Sequence, residues 1–424
     1  MKTATMDSDD AVAAGRAPVD PRRRIEAVDM VRGFALFGVL LVNMFNFGSG
    51  GLFWNEPLDE LAWSVKRFFF ETKSWRLFSL LFGLGFALQF VRASELGSKF
   101  LPVYLRRMVI LFAIGAGHVL IYDGDILMLY AELGLILVLF RNVSPRLLLV
   151  LSVALLAVFP IGRVATSLGE PTQVVRAADY SSRLAAATAE IEEDRRTHVI
   201  AVGSMREVMA ANAHLTNPLR RPLGPESSPA VFAMFLLGLY VGRRRIFQDV
   251  SKHTLLIQRV FWWGLPIGLA GMGAERVLNA TTGYEVFGEQ HATVLPQLFG
   301  DVVFTYGSTS LALGYAAGIT LLAQHGRGRR VLAPLGAAGR LALTVYVSGS
   351  VMFGTLFYGF GFGQSFWLGP AAVTAYAVLF FTVQIVCSVW WTNRFRFGPM
   401  EWVWRALTYV TLPPMRLREP GSGG

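Results

Sequence analysis

The sequence predicts an all-α fold, a polytopic transmembrane helix bundle of about ten spans with both termini in the cytoplasm and one long outward loop. Three observations predict it. Only 16% of the 424 residues are charged and 53% are hydrophobic, where a soluble domain carries about 25% charged residues. About ten apolar runs approach the roughly 20 residues a helix needs to cross a bilayer. The connections between those runs alternate between arginine-rich and arginine-poor, as the positive-inside rule expects. A soluble protein with an unusually apolar core is excluded by the length and number of the runs.

Along the chain, residues 1–30 form a polar cytoplasmic tail, so the run that follows reads as an uncleaved first span and not as a signal peptide. Spans are placed near 31–48, 76–92, 107–122, 125–141 and 146–163, a first five-helix bundle covering 31–163. A polar extracytoplasmic loop, 164–228, has helix formers from Ala185 to Met209 and suits a lid over an outer cavity. A second five-helix bundle, 229–391, has spans near 229–243, 256–274, 295–323, 339–358 and 367–391. Residues 392–424 form a cytoplasmic interfacial tail, and 61–75, which alternate charged and aromatic groups, read as an interfacial helix or a re-entrant entry to the second span.

With the amino terminus inside, every inward connection holds a basic cluster: Arg22 to Arg24, Arg106 and Arg107, Arg141 and Arg146, Arg243 to Arg245, Arg327 with Arg329 and Arg330, and Arg394 with Arg396. The short outward connections 123–125 and 359–366 hold no Lys or Arg. The net charge of +10 is explained by this asymmetry, so no nucleic-acid partner is expected; the lipid bilayer is the first partner. The single cysteine, Cys387, makes no intrachain disulfide and is expected to be a buried, inert thiol.

Ionisable groups inside spans are costly and therefore candidates for function. Asp29 and Arg32, spaced i, i+3, share a helix face and can pair. They either grip an anionic group or fix the helix. Asn43, three turns further on, faces another helix or a cavity. His118 is expected about one turn from the outer surface, next to Asp123 and Asp125, with Tyr130 and Glu132 following. Asp125 and Glu132, seven apart, face the same way. An imidazole beside a carboxylate suits a general base, since the acid fixes the tautomer; the same groups suit a proton relay. The structural alternative has Asp125 capping a helix. Arg340 opens a span from the inside with Thr344 one turn above it, a snorkelling cation or a second grip on phosphate. After the last span, Trp402, Trp404 and Tyr409 suit an amphipathic anchor, with Glu401 and Arg405 in favourable i, i+4 order. Gly83 and Gly85 suit close helix approach. The histidines lack metal-ligand spacing, so no metal site is expected. No broken pair of helices of the kind found at midplane ion sites is apparent.

Five stretches carry a resemblance: Asp29 to Asn43 (DMVRGFALFGVLLVN), Leu77 to Gln89 (LFSLLFGLGFALQ), Arg106 to Ala131 (RRMVILFAIGAGHVLIYDGDILMLYA), Gly339 to Tyr346 (GRLALTVY) and Gly398 to Tyr409 (GPMEWVWRALTY). In this order they resemble the YeiB family of bacterial inner-membrane proteins, whose carboxy-terminal half is known as domain of unknown function 418. The resemblance implies a multi-pass protein of the bacterial inner membrane. At the first-span Asp-x-x-Arg-Gly and the later Asn, the chain is also similar to membrane acyltransferases of the heparan-glucosaminide N-acetyltransferase type. That similarity implies acetyl-CoA or another acyl-CoA as cytoplasmic donor, with no cofactor held permanently, and a small-molecule or glycan acceptor outside. Arg32 and Arg340 would then hold the donor phosphates, and His118 with Asp123 or Asp125 would deprotonate an acceptor hydroxyl. The chain departs from those acyltransferases in lacking their His-x-x-Trp-Asn-Gly tract, having only Trp54-Asn55-Glu56. A transporter or exporter, and a non-catalytic scaffold, are the alternatives, and a homodimer is compatible with all three.

Overall fold

A computed structural model describes residues 25–48, 56–95, 100–169, 198–216, 228–282, 294–364 and 368–417. Among these the chain is helical throughout, the sole strand-like feature being an isolated bridge between Phe395 and Arg416. We number the helices α1 (Glu26–Gly48), α2 (Pro57–Val65), α3 (Lys73–Glu95), α4 (Phe100–Val119), α5 (Leu127–Leu137), α6 (Pro145–Leu156), α7 (Val158–Gly169), α8 (Met205–Asn212), α9 (Ser228–Arg243), α10 (Val250–Thr282), α11 (Val294–Gln324), α12 (Gly326–Arg340), α13 (Ala342–Phe357), α14 (Pro370–Thr392) and α15 (Pro399–Tyr409).

Every predicted span coincides with a helix, and fewer than ten of these helices have the length of a full span. Seven helical stretches among the described residues are long and apolar enough to cross a membrane, or eight if α12 and α13, bent by 76° at their junction, form one span. The two shortfalls are α5 with its short 3₁₀ extension, and α9. At 16 residues, α9 measures about 24 Å against a hydrocarbon core of about 30 Å. Its apolarity has a different cause. Residues Ala230 to Leu236 are buried without interruption, so protein surrounds it on all sides where the sequence suggested lipid. The bend between α12 and α13 is a break that the apolar run over 339–358 did not announce. Cys387 is exposed on α14 beside Val383, Val386 and Trp390, and not buried as expected.

α1 runs through the centre, with Val31, Ala35 and Met44 fully buried. It crosses α12 where two glycines face each other: a Cβ on Gly33 would strike the Leu335 carbonyl, and one on Gly339 the Asp29 carbonyl. A second such crossing joins α3 to α9 through Gly83 and Gly238. Small residues let backbones approach because dispersion, not hydrophobicity, holds helices together in lipid. Gly85, by contrast, meets no other group and opens to a cavity.

Between α1 and α3 the chain makes an irregular corner. Helix α2 passes through a π-helical turn, Lys66–Phe70, and reverses at Thr72, whose φ is 64°. Asp59 on α2 accepts a hydrogen bond of 2.7 Å from the Ala371 N–H at the start of α14, satisfying one of the donors that a helix start leaves free. In the predicted outward loop, Ser204 and Glu207 form a capping box at the start of α8. The predicted helix over 185–209 falls outside the described residues as far as 197.

Candidate functional site

The site is built from two layers, one at the end of the bundle where α1 begins and one about halfway along it. In the first, Arg32 donates to Asp29 at 2.8 Å and reaches toward the Gly339 carbonyl at 3.4 Å. The expected pair therefore forms, at the closest point of the α1–α12 crossing. Arg340 donates to the Thr392 hydroxyl at 3.0 Å. Arg107 of α4 lies 3.9 Å over the ring of Trp404, whose indole N–H donates to the Arg107 carbonyl at 3.1 Å. Helix α15 is thus held by α4, with Arg106 donating to the Thr408 carbonyl at 3.1 Å.

Glu401 makes hydrogen bonds that its i, i+4 spacing from Arg405 did not suggest. One oxygen accepts from the backbone N–H groups of Leu343 at 2.6 Å and Thr344 at 3.1 Å, the other from the Thr344 hydroxyl at 2.5 Å. That hydroxyl in turn accepts from the Met400 N–H at 3.1 Å. A carboxylate from α15 therefore caps α13 at the bend, where the helix dipole favours negative charge. Burial, opposed by these hydrogen bonds, pushes the Glu401 carboxyl above its ordinary value.

The second layer holds His118 and Asp125. His118 Nδ1 and Asp125 Oδ1 are 2.8 Å apart, and Asp125 Oδ2 accepts from the Met128 N–H at 2.9 Å. Both readings of Asp125 hold at once: it caps the start of α5 and orients an imidazole. With Asp125 ionised, Nδ1 carries the proton, which leaves the Nε2 lone pair; that atom is buried and has no hydrogen-bond partner. The ring lies between Tyr346 and Tyr122, with centroid distances of 5.0 and 5.6 Å. His118 is itself buried, and the segment 198–216 packs near the end of its helix. Asn212 donates to the Leu120 carbonyl at 3.3 Å, Gly359 donates to the Ile200 carbonyl at 2.9 Å, and Val208 packs into the core with Tyr122 and Tyr358.

One cavity of about 1060 Å³ joins the layers. Asp29, Arg32 and Arg340 line it at one end with Arg92, Arg107 and Trp404, which sequence reasoning had not assigned to a site. Phe78, Phe82, Phe86, Met108 and Leu111 line its middle, and Asn43, Tyr122, Tyr130 and Tyr346 its far part. Tyr130 also shares a hydrogen bond of 2.8 Å with Ser79. His118 and Asp125 stand one side chain behind the wall formed by Tyr122 and Tyr346. Asp123, Glu132 and Thr344 are not on the wall. Along both α1 (Arg32 to Asn43) and α4 (Arg107 to His118) the layers are eleven residues apart, about 16 Å at 1.5 Å per residue. Among the described residues no three His, Cys, Asp or Glu side chains gather closely enough to hold a metal.

A third polar group surrounds the corner before α3, and composition gave no hint of its density. Lys66 pairs with Glu71 at 3.2 Å and Arg67 with the fully buried Glu275 at 2.9 Å. Lys73, fully buried, donates to the Arg67 carbonyl at 3.0 Å. Arg76, also buried, donates to the Thr305 carbonyl at 2.6 Å and to the hydroxyls of Thr309, at 2.7 Å, and Ser308.

Comparison with known proteins gives the chain its relatives. Residues 241–411 match the family model described as protein of unknown function, DUF418. YxaH of Bacillus subtilis (strain 168) is 32% identical over 94% of this chain and 97% of its own length. A 39.9 kDa protein from the amylase 3′ region of Bacillus acidopullulyticus is 26% identical over 95% and 99%, and YeiB of Escherichia coli (strain K12) is 26% identical over 91% and 97%.

Proposed function

The chain belongs to the DUF418 family of integral membrane proteins, and on that premise we propose that it is a transmembrane acyltransferase, moving an acyl group from a cytoplasmic acyl-CoA to an acceptor hydroxyl on the other side of the bacterial inner membrane. The observation that carries the reading is the single cavity joining an arginine-rich end to the layer of the His118–Asp125 dyad. Arg32, Arg107 and Arg340 at the first end suit a multiply charged phosphate donor, which guanidinium groups recognise in a bidentate way. The positive-inside rule assigns that end to the cytoplasm. The volume is at the upper limit of small-molecule pockets and suits an extended arm, with an apolar middle that excludes water from a thioester.

In this reading, His118 Nε2 takes the acceptor proton while Asp125 holds the imidazolium. The acceptor oxygen attacks the thioester carbonyl, the carbon–sulfur bond breaks, and the departing thiolate takes the proton back from His118. Acyl-CoA and alcohol become ester and free thiol. The phenol of Tyr346 stands between His118 and the cavity, so it either relays the proton or rotates aside. Transport is the second reading, supported by the 76° bend between α12 and α13 beside the cavity.

The test is calorimetric titration of acetyl-CoA into the purified chain in detergent. Saturable binding is expected, weakened at least tenfold by Arg107→Ala and Arg32→Ala and retained by His118→Ala. Thioester cleavage with a supplied acceptor extract is expected to vanish in His118→Ala. Absence of binding by any acyl-CoA overturns acyl transfer and shifts the case to transport.

A further inference from the structure

One face of α3 runs along the cavity. Phe78, Phe82, Gly85, Gln89 and Arg92, spaced by four and three residues in turn, all stand on the cavity wall. Gly85 is the middle member, and a Cβ built on it meets no atom within 4 Å. The nearby Gly83 has a packing reason to lack a side chain, since its Cβ would strike the Phe235 carbonyl. Gly85 has no such reason. Glycine inside a helix is destabilising relative to alanine, so its presence at 85 calls for another cause. What it provides is open space in the wall.

The aromatic contacts between α3 and α4 fix the height of that space. Phe90 packs on Phe100 with ring centroids 5.4 Å apart, and Phe86 on Tyr104 at 4.8 Å. The two helices are therefore antiparallel, and Arg107, one turn beyond Tyr104, comes level with residue 83. Gly85 thus lies within about 3 Å of Arg107 in height. On one side of that level the wall carries Gln89, Arg92 and Arg245; on the other it carries Phe78, Phe82, Met108 and Leu111. Two polar groups beside the space direct their donors to backbone: Gln89 Nε2 to the Gly85 carbonyl at 2.9 Å, and the Tyr104 hydroxyl to the Gly134 carbonyl at 3.1 Å. Among the described residues neither Arg92 nor Arg107 belongs to an ion pair. A charged compartment and an apolar one therefore meet at a wall position that has no side chain.

We infer that Gly85 is an aperture between the two compartments, and that the ligand it admits is a phosphate ester bearing one unbranched chain. The head lies among Arg92 and Arg107, and the chain passes Gly85 into the compartment of Phe78, Phe82, Met108 and Leu111. Two sources share this chemistry: the arm of a thioester donor such as acetyl-CoA, and the chain of a single-chain lipid phosphate. The inference goes beyond the acyl-transfer reading, since a lipid phosphate can thread the aperture of a protein that never meets a thioester. A side chain at 85 fills the aperture and leaves the arginines in place, so this residue selects for the chain and not for the charge.

The test titrates the full chain in one detergent with methyl, butyl and hexyl phosphate, and separately with acetyl-CoA. In the wild-type chain each methylene that enters the apolar compartment should tighten binding by up to about fourfold. Gly85→Leu should bind methyl phosphate as the wild type does and hexyl phosphate at least tenfold more weakly. Micelle partition is common to all the proteins and cancels in this ratio. Gly85→Ala, which adds one methyl group to open space, should show a smaller loss of the same kind, and it carries the test if Gly85→Leu fails to fold. Arg107→Ala should weaken all three alkyl phosphates by a common factor, because it touches the head alone. Wild-type affinity for hexyl phosphate in the Gly85 variants overturns the inference, as does an equal loss for methyl and hexyl phosphate. Unchanged affinities in Arg107→Ala overturn it too. Loss of acetyl-CoA together with hexyl phosphate in Gly85→Leu supports the aperture and assigns it to the thioester arm; loss of hexyl phosphate alone supports it and assigns it to a lipid chain. Failure of the wild type to bind acetyl-CoA overturns acyl transfer and leaves the alkyl phosphates to decide the aperture.

Discussion

The cap that Glu401 places on α13 can be dissected quantitatively. Glu401→Ala removes acceptors for the N–H groups of Leu343 and Thr344 and for the Thr344 hydroxyl. A charged hydrogen bond is worth about 1.5–3 kcal/mol and a helix cap about 1 kcal/mol. The three bonds share one carboxylate and are not additive, so a loss of about 3 kcal/mol is expected. Glu401→Gln retains an acceptor for the two N–H groups and should cost about 1 kcal/mol. Thr344→Val deletes the hydroxyl that Glu401 and the Met400 N–H share, so the double variant should be less destabilised than the sum by about 1–2 kcal/mol. Because burial raises the Glu401 carboxyl in the folded state, the folded chain binds its proton more tightly than the unfolded chain, where the pKa is about 4.3. Its contribution to stability is therefore present below that value and lost as pH rises through the folded pKa. Glu401→Gln should remove that slope. The measurement is unfolding of the detergent-solubilised protein by increasing denaturant at a series of pH values. Strict additivity of the two changes, or an alanine effect below about 1 kcal/mol, refutes the assignment of Glu401 as the cap.

Two further predictions rest on packing. Gly339→Ala places a methyl against the Asp29 carbonyl and should lower stability by about 2 kcal/mol or more, whereas Gly85→Ala, which meets only the open cavity, should raise it by about 0.5–1 kcal/mol through helix propensity; thermal melts of both variants in one detergent decide the matter. Asp59→Ala, which leaves the Ala371 N–H without its acceptor, should cost about 1 kcal/mol, and amide exchange of the first turn of α14 should quicken with it.

Much of this architecture was legible in the residues, and what was not has identifiable causes. Each apolar run coincides with a helix because hydropathy is a direct signal, but it missed most of α12, which begins in a basic stretch, and it does not tell lipid from protein. Helix α9 is apolar on all sides, yet its surroundings are Leu80, Leu84 and Phe82 and not acyl chains. The Asp29–Arg32 pair and the His118–Asp125 contact were readable since their members are three and seven residues apart. The reach of Glu401 was not readable for the same reason: its hydrogen bonds to Leu343 and Thr344 span 58 and 57 residues. The bend after Arg340 had no proline to announce it; Leu341 takes φ −105° and ψ 33° where helix would continue. Arg107 was visible only as a topological charge until Trp404 was found beneath it. Nothing in the local sequence signals that Thr72 takes a positive φ, because tertiary contacts impose it.

The two helix starts capped from afar bear on how the protein is made. Chains enter the membrane in order of synthesis. When α13 leaves the translation machinery, the carboxylate that satisfies its first amides is still some 57 residues from being polymerised. Asp59 has the opposite problem, waiting 312 residues for the amide it serves. Until α15 arrives, the start of α13 has to borrow water or lipid headgroups, and a nascent chain arrested before residue 399 should expose it there. Completion of the bend is therefore an event that waits on the last helix of the chain.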